Sequence, residues 1–169
     1  MTSFLGSMVL ALGVASLVCP AGSIAQESWL GVVSYVVDGD TLYVRPASGG
    51  KPRSVRLSGI DAPEICQNGG VASRQALQAR VLRREVTVLT QGRDDYGRDL
   101  STVQLDSEDL GHWMVSYGHA WSYRYRGHPG PYVQAQQQAR LSGRGLFADA
   151  AAENPRAFRK RHGSCAMVP

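Results

Sequence analysis

The strongest constraint on this chain is a run of three short β-branched segments joined by turns too tight to hold anything but adjacent strands. Trp29 to Val37 is rich in valine and ends at Asp38-Gly39, a dipeptide that favours a tight hairpin turn. Thr41 to Arg45 returns, Ala47 to Pro52 turns again on glycine and proline, and Arg53 to Ser58 makes a third strand. The reading is a three-stranded antiparallel meander. The hydrophobic period then changes. Ser73 to Arg84 places Ala76, Leu77 and Val81 at helical spacing, with arginines on the other face. Glu85 to Leu89 and Leu100 to Leu105 are again strands, separated by the polar turn 92–97. Asp106 is expected to cap a short helix carrying Leu110, Trp113, Met114 and Tyr117, ended by Gly118. Pro131 opens a further helix to about Leu141, and residues from 151 onward read as a basic tail. The order β-β-β-α-β-β-α-α is that of an α+β, mainly β, protein: a five-stranded OB-fold barrel with further helices packed against it, with a small α+β sandwich as the alternative.

Length and composition suit one globular domain. The 169 residues are 43% hydrophobic and 19% charged, unlike a disordered chain. Net charge is +4, and the cations are nearly all arginine, with lysine only at 51 and 160. A planar guanidinium fork suits phosphate, although codon bias gives the same surplus. Residues 1–25 carry no charged side chain; the apolar run Phe4 to Val18 and the small residues around Ala25 predict a cleaved signal peptide. Export implies an oxidising compartment, periplasmic or extracellular. Cleavage would leave two cysteines, Cys66 and Cys165, expected to bridge, with two free thiols as the alternative.

Three clusters carry chemistry. In RLSGIDAPE, residues 56–64, Arg56 sits opposite the core-facing Val55 and Leu57, Asp61 emerges at the strand end, and Pro63 stiffens the backbone before Glu64. Two acids held close but aimed differently suit one metal ligand and one proton acceptor. Asp40 opens the second strand, where aspartate is disfavoured, and the meander brings it toward Asp61. Two carboxylates with a backbone carbonyl and waters make a hard-oxygen site suited to Ca²⁺. In DDYGR, residues 94–98, Arg98 can face Arg56 across a phosphate while Tyr96 offers an aromatic face to a base; a plain polar hairpin loop is the alternative. The four histidines have no metal spacing, and Trp113 and Trp121 read as core.

VVDGDTLYV, RLSGIDAPE and DDYGR, in that order, resemble the staphylococcal nuclease family over roughly Trp29 to Phe147. The resemblance implies an OB barrel with three helices and Ca²⁺-dependent hydrolysis of DNA and RNA to 3′-phosphate products; a monomer is expected, since nothing in the sequence suggests more. It matches Asp40 and Asp61 to calcium carboxylates and Ala62 to a backbone carbonyl ligand. Glu64 matches the general base, Arg56 and Arg98 the phosphate-binding arginines, and Tyr96 an aromatic beside the nucleotide. A second stacking tyrosine falls on Tyr123 or Tyr125, and the two registers stay open. Asp95 replaces a lysine that often flanks the tyrosine of the third motif, which weakens the case for binding a terminal phosphate. A non-catalytic nucleic-acid-binding OB module is the competing reading; it has no need of Asp40, Arg56, Asp61, Glu64 and Arg98 together.

Overall fold

The computed structural model describes residues 27–123 and 127–165. The expected signal peptide and Tyr125 lie outside these residues.

The meander forms as the sequence predicts: β1 (Glu27–Val36), β2 (Thr41–Pro46) and β3 (Arg53–Leu57) pair in antiparallel order. After α1 (Gly70–Val81), β5 (Glu85–Arg93) pairs with the free edge of β1, and β6 (Asp99–Leu105) pairs with β5. β3 and β6 then join in parallel, Val55 opposite Asp99 and Leu57 opposite Ser101, which closes a five-stranded barrel. Closure leaves none of the five strands with an unpaired long edge. Alternate residues point inward. Val33, Leu42, Val44, Val55, Leu57, Val86, Val88, Val103 and Leu105 are all essentially buried.

Three short strands flank the barrel. β4 (Ile60–Asp61) pairs with β8 (Trp121–Ser122), Asp61 opposite Trp121. β7 (Glu108–Asp109) extends β6. The helices are α2 (Leu110–Ser116), α3 (Val133–Leu141) and α4 (Pro155–His162), with a 3₁₀ turn at Gly145–Ala148. α2 lays Leu110, Met114 and Val115 on the barrel core, while Trp121, Ala139 and Phe147 form a satellite cluster.

Four expectations are corrected. The cap of α2 is Asp109, not Asp106: its Oδ1 accepts from the Gly111 and His112 N–H groups, and its Oδ2 accepts from the Tyr132 hydroxyl at 2.7 Å. Asp106 and Ser107 instead make a left-handed turn between β6 and β7. β6 begins at Asp99 rather than Leu100: Asp99 points inward at the barrel seam, neutralised by Arg53 and Arg93, while Leu100 faces out. α3 begins at Val133, two residues after Pro131. The basic C-terminal segment is a fourth helix, with the Asn154 side chain as its cap and Pro155 in its first turn.

Candidate active site

The turn between β1 and β2 and the end of β3 meet where the barrel closes at one rim. The Leu57 N–H donates to the Asp40 carbonyl at 2.8 Å, and the Ala62 N–H donates to Asp40 Oδ2 at 2.8 Å. The Asp40 N–H in turn donates to Asp38 Oδ1. Asp40 and Asp61 are both buried, and Arg56 lies between them, its Nη1 paired with Asp40 Oδ1 and its Nη2 3.5 Å from Asp61 Oδ1. Burial pushes the Arg56 guanidinium below its usual pKa, and the Asp61 charge opposes that shift. Burial likewise raises Asp38, against the pull of Arg56.

Arg98 reaches the same rim from the β5–β6 hairpin. Its Nε donates to Asp94 Oδ2 at 2.7 Å, and its Nη1 donates to the Thr41 hydroxyl at 3.2 Å. That hydroxyl donates to Asp40 Oδ1 at 3.0 Å, so a continuous chain runs Arg98–Thr41–Asp40–Arg56. Burial works against the Asp94 charge, but hydrogen bonds from the Arg98 N–H and guanidinium hold its pKa below the usual carboxylate value. The residue that looks like part of a plain hairpin is therefore the group that aims Arg98.

Glu64 lies past β4 and is fixed from two directions. Its N–H donates to Gln67 Oε1 at 3.2 Å, and Gly70 packs so closely that a Cβ there would overlap the Glu64 carbonyl oxygen. Arg159 of α4 reaches both acids. Its Nη atoms pair with the two Asp61 oxygens at 3.1 and 3.0 Å, and Nη1 also meets Glu64 Oε1 at 3.0 Å. Burial disfavours the Arg159 charge, but the bonds it donates to Asp61 and Glu64 outweigh that and raise its pKa. Cys66 and Cys165 form a disulfide, with Cα atoms 5.9 Å apart.

The structure thus brings Asp40, Arg56, Asp61, Ala62, Glu64 and Arg98 to one rim. Tyr96 is 84% exposed beside it, its ring 5.2 Å from the Arg98 guanidinium carbon. Tyr123 is also exposed, and its N–H donates to the Gly59 carbonyl. Thr41, Asp94, Gln67 and Arg159 are the contributors that reading the sequence missed. Thr41 is adjacent to Asp40, and Asp94 sits in the third motif; nothing local in sequence points to Arg159 beyond the cysteine that follows it.

The donor set fits a hard divalent cation: the buried Asp40 and Asp61 carboxylates both face cationic groups, with Glu64 beside them. Among the described residues no cluster of three or more acid, histidine or cysteine side chains could hold a metal alone, so backbone carbonyl and water ligands would complete the shell.

The model of the staphylococcal nuclease homologue family matches residues 54–149, which take in Arg56, Asp61, Glu64 and Arg98 but neither Asp40 nor Arg159. An uncharacterized endonuclease of Haemophilus influenzae is 36% identical over 126 residues, covering 75% of this chain and 70% of its own. Protein ParB of Escherichia coli is 36% identical over 151 residues, covering 81% and 84%. The micrococcal nuclease of Shigella flexneri is 34% identical over 147 residues, covering 80% and 83%. The matched range spans the barrel from β3 through the 3₁₀ turn, and the chain belongs to the staphylococcal nuclease family of phosphodiester hydrolases.

Proposed function

We propose that the protein is an exported, Ca²⁺-dependent endonuclease that cleaves DNA and RNA to 3′-phosphate products. The observation that carries this reading is the chain Arg98–Thr41–Asp40–Arg56, which sets two guanidiniums on one rim beside Asp61 and Glu64. A divalent cation held by Asp40, Asp61 and the Ala62 carbonyl would supply Lewis-acid polarisation of a phosphate oxygen. Arg56 and Arg98 bind the phosphate and neutralise the negative charge it gains as phosphorus becomes five-coordinate. Glu64 accepts a proton from the attacking water as its oxygen bonds to phosphorus; the P–O5′ bond breaks, leaving the phosphate on the 3′ oxygen, and the departing 5′ oxygen takes a proton from solvent to become a hydroxyl. Tyr96, with Tyr123 or Tyr125, stacks on bases, which tolerates any sequence.

The test is cleavage of denatured DNA and of RNA by the purified protein in millimolar Ca²⁺, in chelator, and with Glu64→Gln. Cleavage that needs both Ca²⁺ and Glu64 is expected. Nucleic acid bound but left intact by the wild type would move the protein to the binding-module class. Export is checked separately by N-terminal sequencing of the mature protein: a start at Gln26 is expected, and an intact Met1 rules it out.

A further inference from the structure

Asp61 and Glu64 are both held by the C-terminal segment. The Arg159 guanidinium accounts for both oxygens of Asp61 and for Oε1 of Glu64; the Cys165 N–H donates to the remaining Oε2 at 3.3 Å. All four oxygens of the two acids thus meet donors from residues 159–165. The Asp61 side chain is 3% exposed and that of Arg159 29%, so the guanidinium lies on the solvent side of the acid.

α4 is poorly suited to hold this position through packing. It has eight residues, and Pro155 is its one buried residue. A helix that short is not stable alone. It is instead anchored at both ends to the loop that carries Glu64. Gln67, which is buried, accepts from the Glu64 N–H and donates to the Glu153 carbonyl at 2.7 Å. At the other end Cys66 is bonded to Cys165. Residues 153–165 are therefore a strap fixed at two points, with Arg159 between them.

We propose that this strap is a built-in competitor for the divalent cation, so that Arg159 sets the ion affinity of the site. The inference rests on the cation reading given above. A guanidinium that satisfies both Asp61 oxygens must leave at least one before that carboxylate can ligate an ion. The apparent affinity for the ion falls by the fraction of molecules in which the strap has lifted. The disulfide keeps the displaced helix at high effective concentration, so the competition is intramolecular. A purely supporting role for Arg159 predicts the opposite sign: without its charge, Asp61 and Glu64 would repel each other and the site would loosen.

The test is direct Ca²⁺ titration by calorimetry of the wild type, Arg159→Gln, Arg159→Lys, the double variant Cys66→Ser/Cys165→Ser, and Asp61→Asn, each checked for native near-UV dichroism. Arg159→Gln is expected to bind Ca²⁺ about tenfold tighter or more. Arg159→Lys, which keeps the charge but loses the fork, should fall between it and the wild type. The double serine variant should also bind more tightly although the acid cluster is untouched, and it carries the test if Arg159→Gln does not fold. Unchanged or weaker binding by Arg159→Gln overturns the proposal while leaving the cation reading intact. Absence of Ca²⁺ binding in every variant, or binding indifferent to Asp61→Asn, overturns the cation reading and the strap with it.

Discussion

Arg159 meets Asp61 fork to fork, Nη1 to Oδ1 at 3.1 Å and Nη2 to Oδ2 at 3.0 Å, across 98 residues of sequence. Arg56 approaches the same carboxylate at 3.5 Å, so one buried acid lies between two guanidiniums, one five residues before it and one 98 residues after it. Such an acid is tolerable in a dry environment because its charge is compensated locally. Replacing either arginine therefore changes the environment of Asp61 as well as removing a cation.

Arg98 is positioned before substrate arrives, by Asp94 and by the Thr41 hydroxyl. Its contribution should grow as charge develops on the phosphate. Arg98→Ala is expected to lower kcat by roughly 10²–10³ with a much smaller change in KM, the loss typical of one preorganised donor. Asp94→Asn should show the same pattern at smaller size, because the arginine remains but is aimed less well. Steady-state kinetics on single-stranded DNA decides it: a change confined to KM would mean that Arg98 only binds.

Gly70 is required by close approach: the Glu64 carbonyl lies where a Cβ would sit. Gly70→Ala is expected to destabilise the fold by about 1–3 kcal/mol through overpacking against backbone, and to displace Glu64. Urea unfolding gives the stability, and kcat of the folded fraction reads the displacement. A variant as stable and active as the wild type would mean that the Glu64 loop yields freely.

The Cys66–Cys165 bond spans a sequence separation of 99, and α4 has little buried surface of its own. The Cys66→Ser/Cys165→Ser protein should lose about 2–4 kcal/mol of stability. Its amides over residues 155–165 should exchange at rates near those of an unprotected chain, whereas the barrel strands keep their protection. Hydrogen exchange by mass spectrometry resolves the two regions; protection kept in α4 would show that packing alone holds it.

Acid should act at two separate places. Burial pushes the His119 imidazole below 6.5, so the unfolded chain takes up a proton at a pH where the folded chain does not. The stability associated with neutral His119 is thus complete above 6.5 and declines as pH falls from there toward the folded value. His119→Gln should flatten the melting temperature across that range. The Asp94 shift has the same sign at lower pH: its carboxylate lies below 3.8 when folded, so its contribution is present above 3.8 and lost as pH falls through the folded value. Melting curves of the two single variants, His119→Gln and Asp94→Asn, separate the steps.

The barrel and most of its rim were legible in the residues because the signals are local. Period-two alternation marks β1, β2, β3, β5 and β6, and each of Asp40, Arg56, Asp61, Glu64 and Arg98 sits at a strand end or turn that its own neighbours define. Local signals failed where two readings competed over a few residues. Asp106 and Asp109 could each cap α2, and only the Tyr132 hydroxyl and the turn at 106–107 distinguish them. Leu100 reads as the start of its strand, yet β6 begins at Asp99, which the parallel seam with β3 turns inward to meet Arg53 and Arg93.

The meander, the order of the five barrel strands and the clustering of two acids and an arginine at the end of β3 are thus written in the local sequence. These follow from side-chain period and turn chemistry within about ten residues. Contacts made only in the folded chain are what link Arg98 to Asp40 through Thr41, aim Arg98 by Asp94, and fold the basic C-terminal segment as α4 to set Arg159 on Asp61 and Glu64. α4 buries only Pro155, so packing does not fix where it lies. Its place is set by a covalent bond and a glutamine amide, both reaching it from a loop nearly ninety or more residues earlier in the chain.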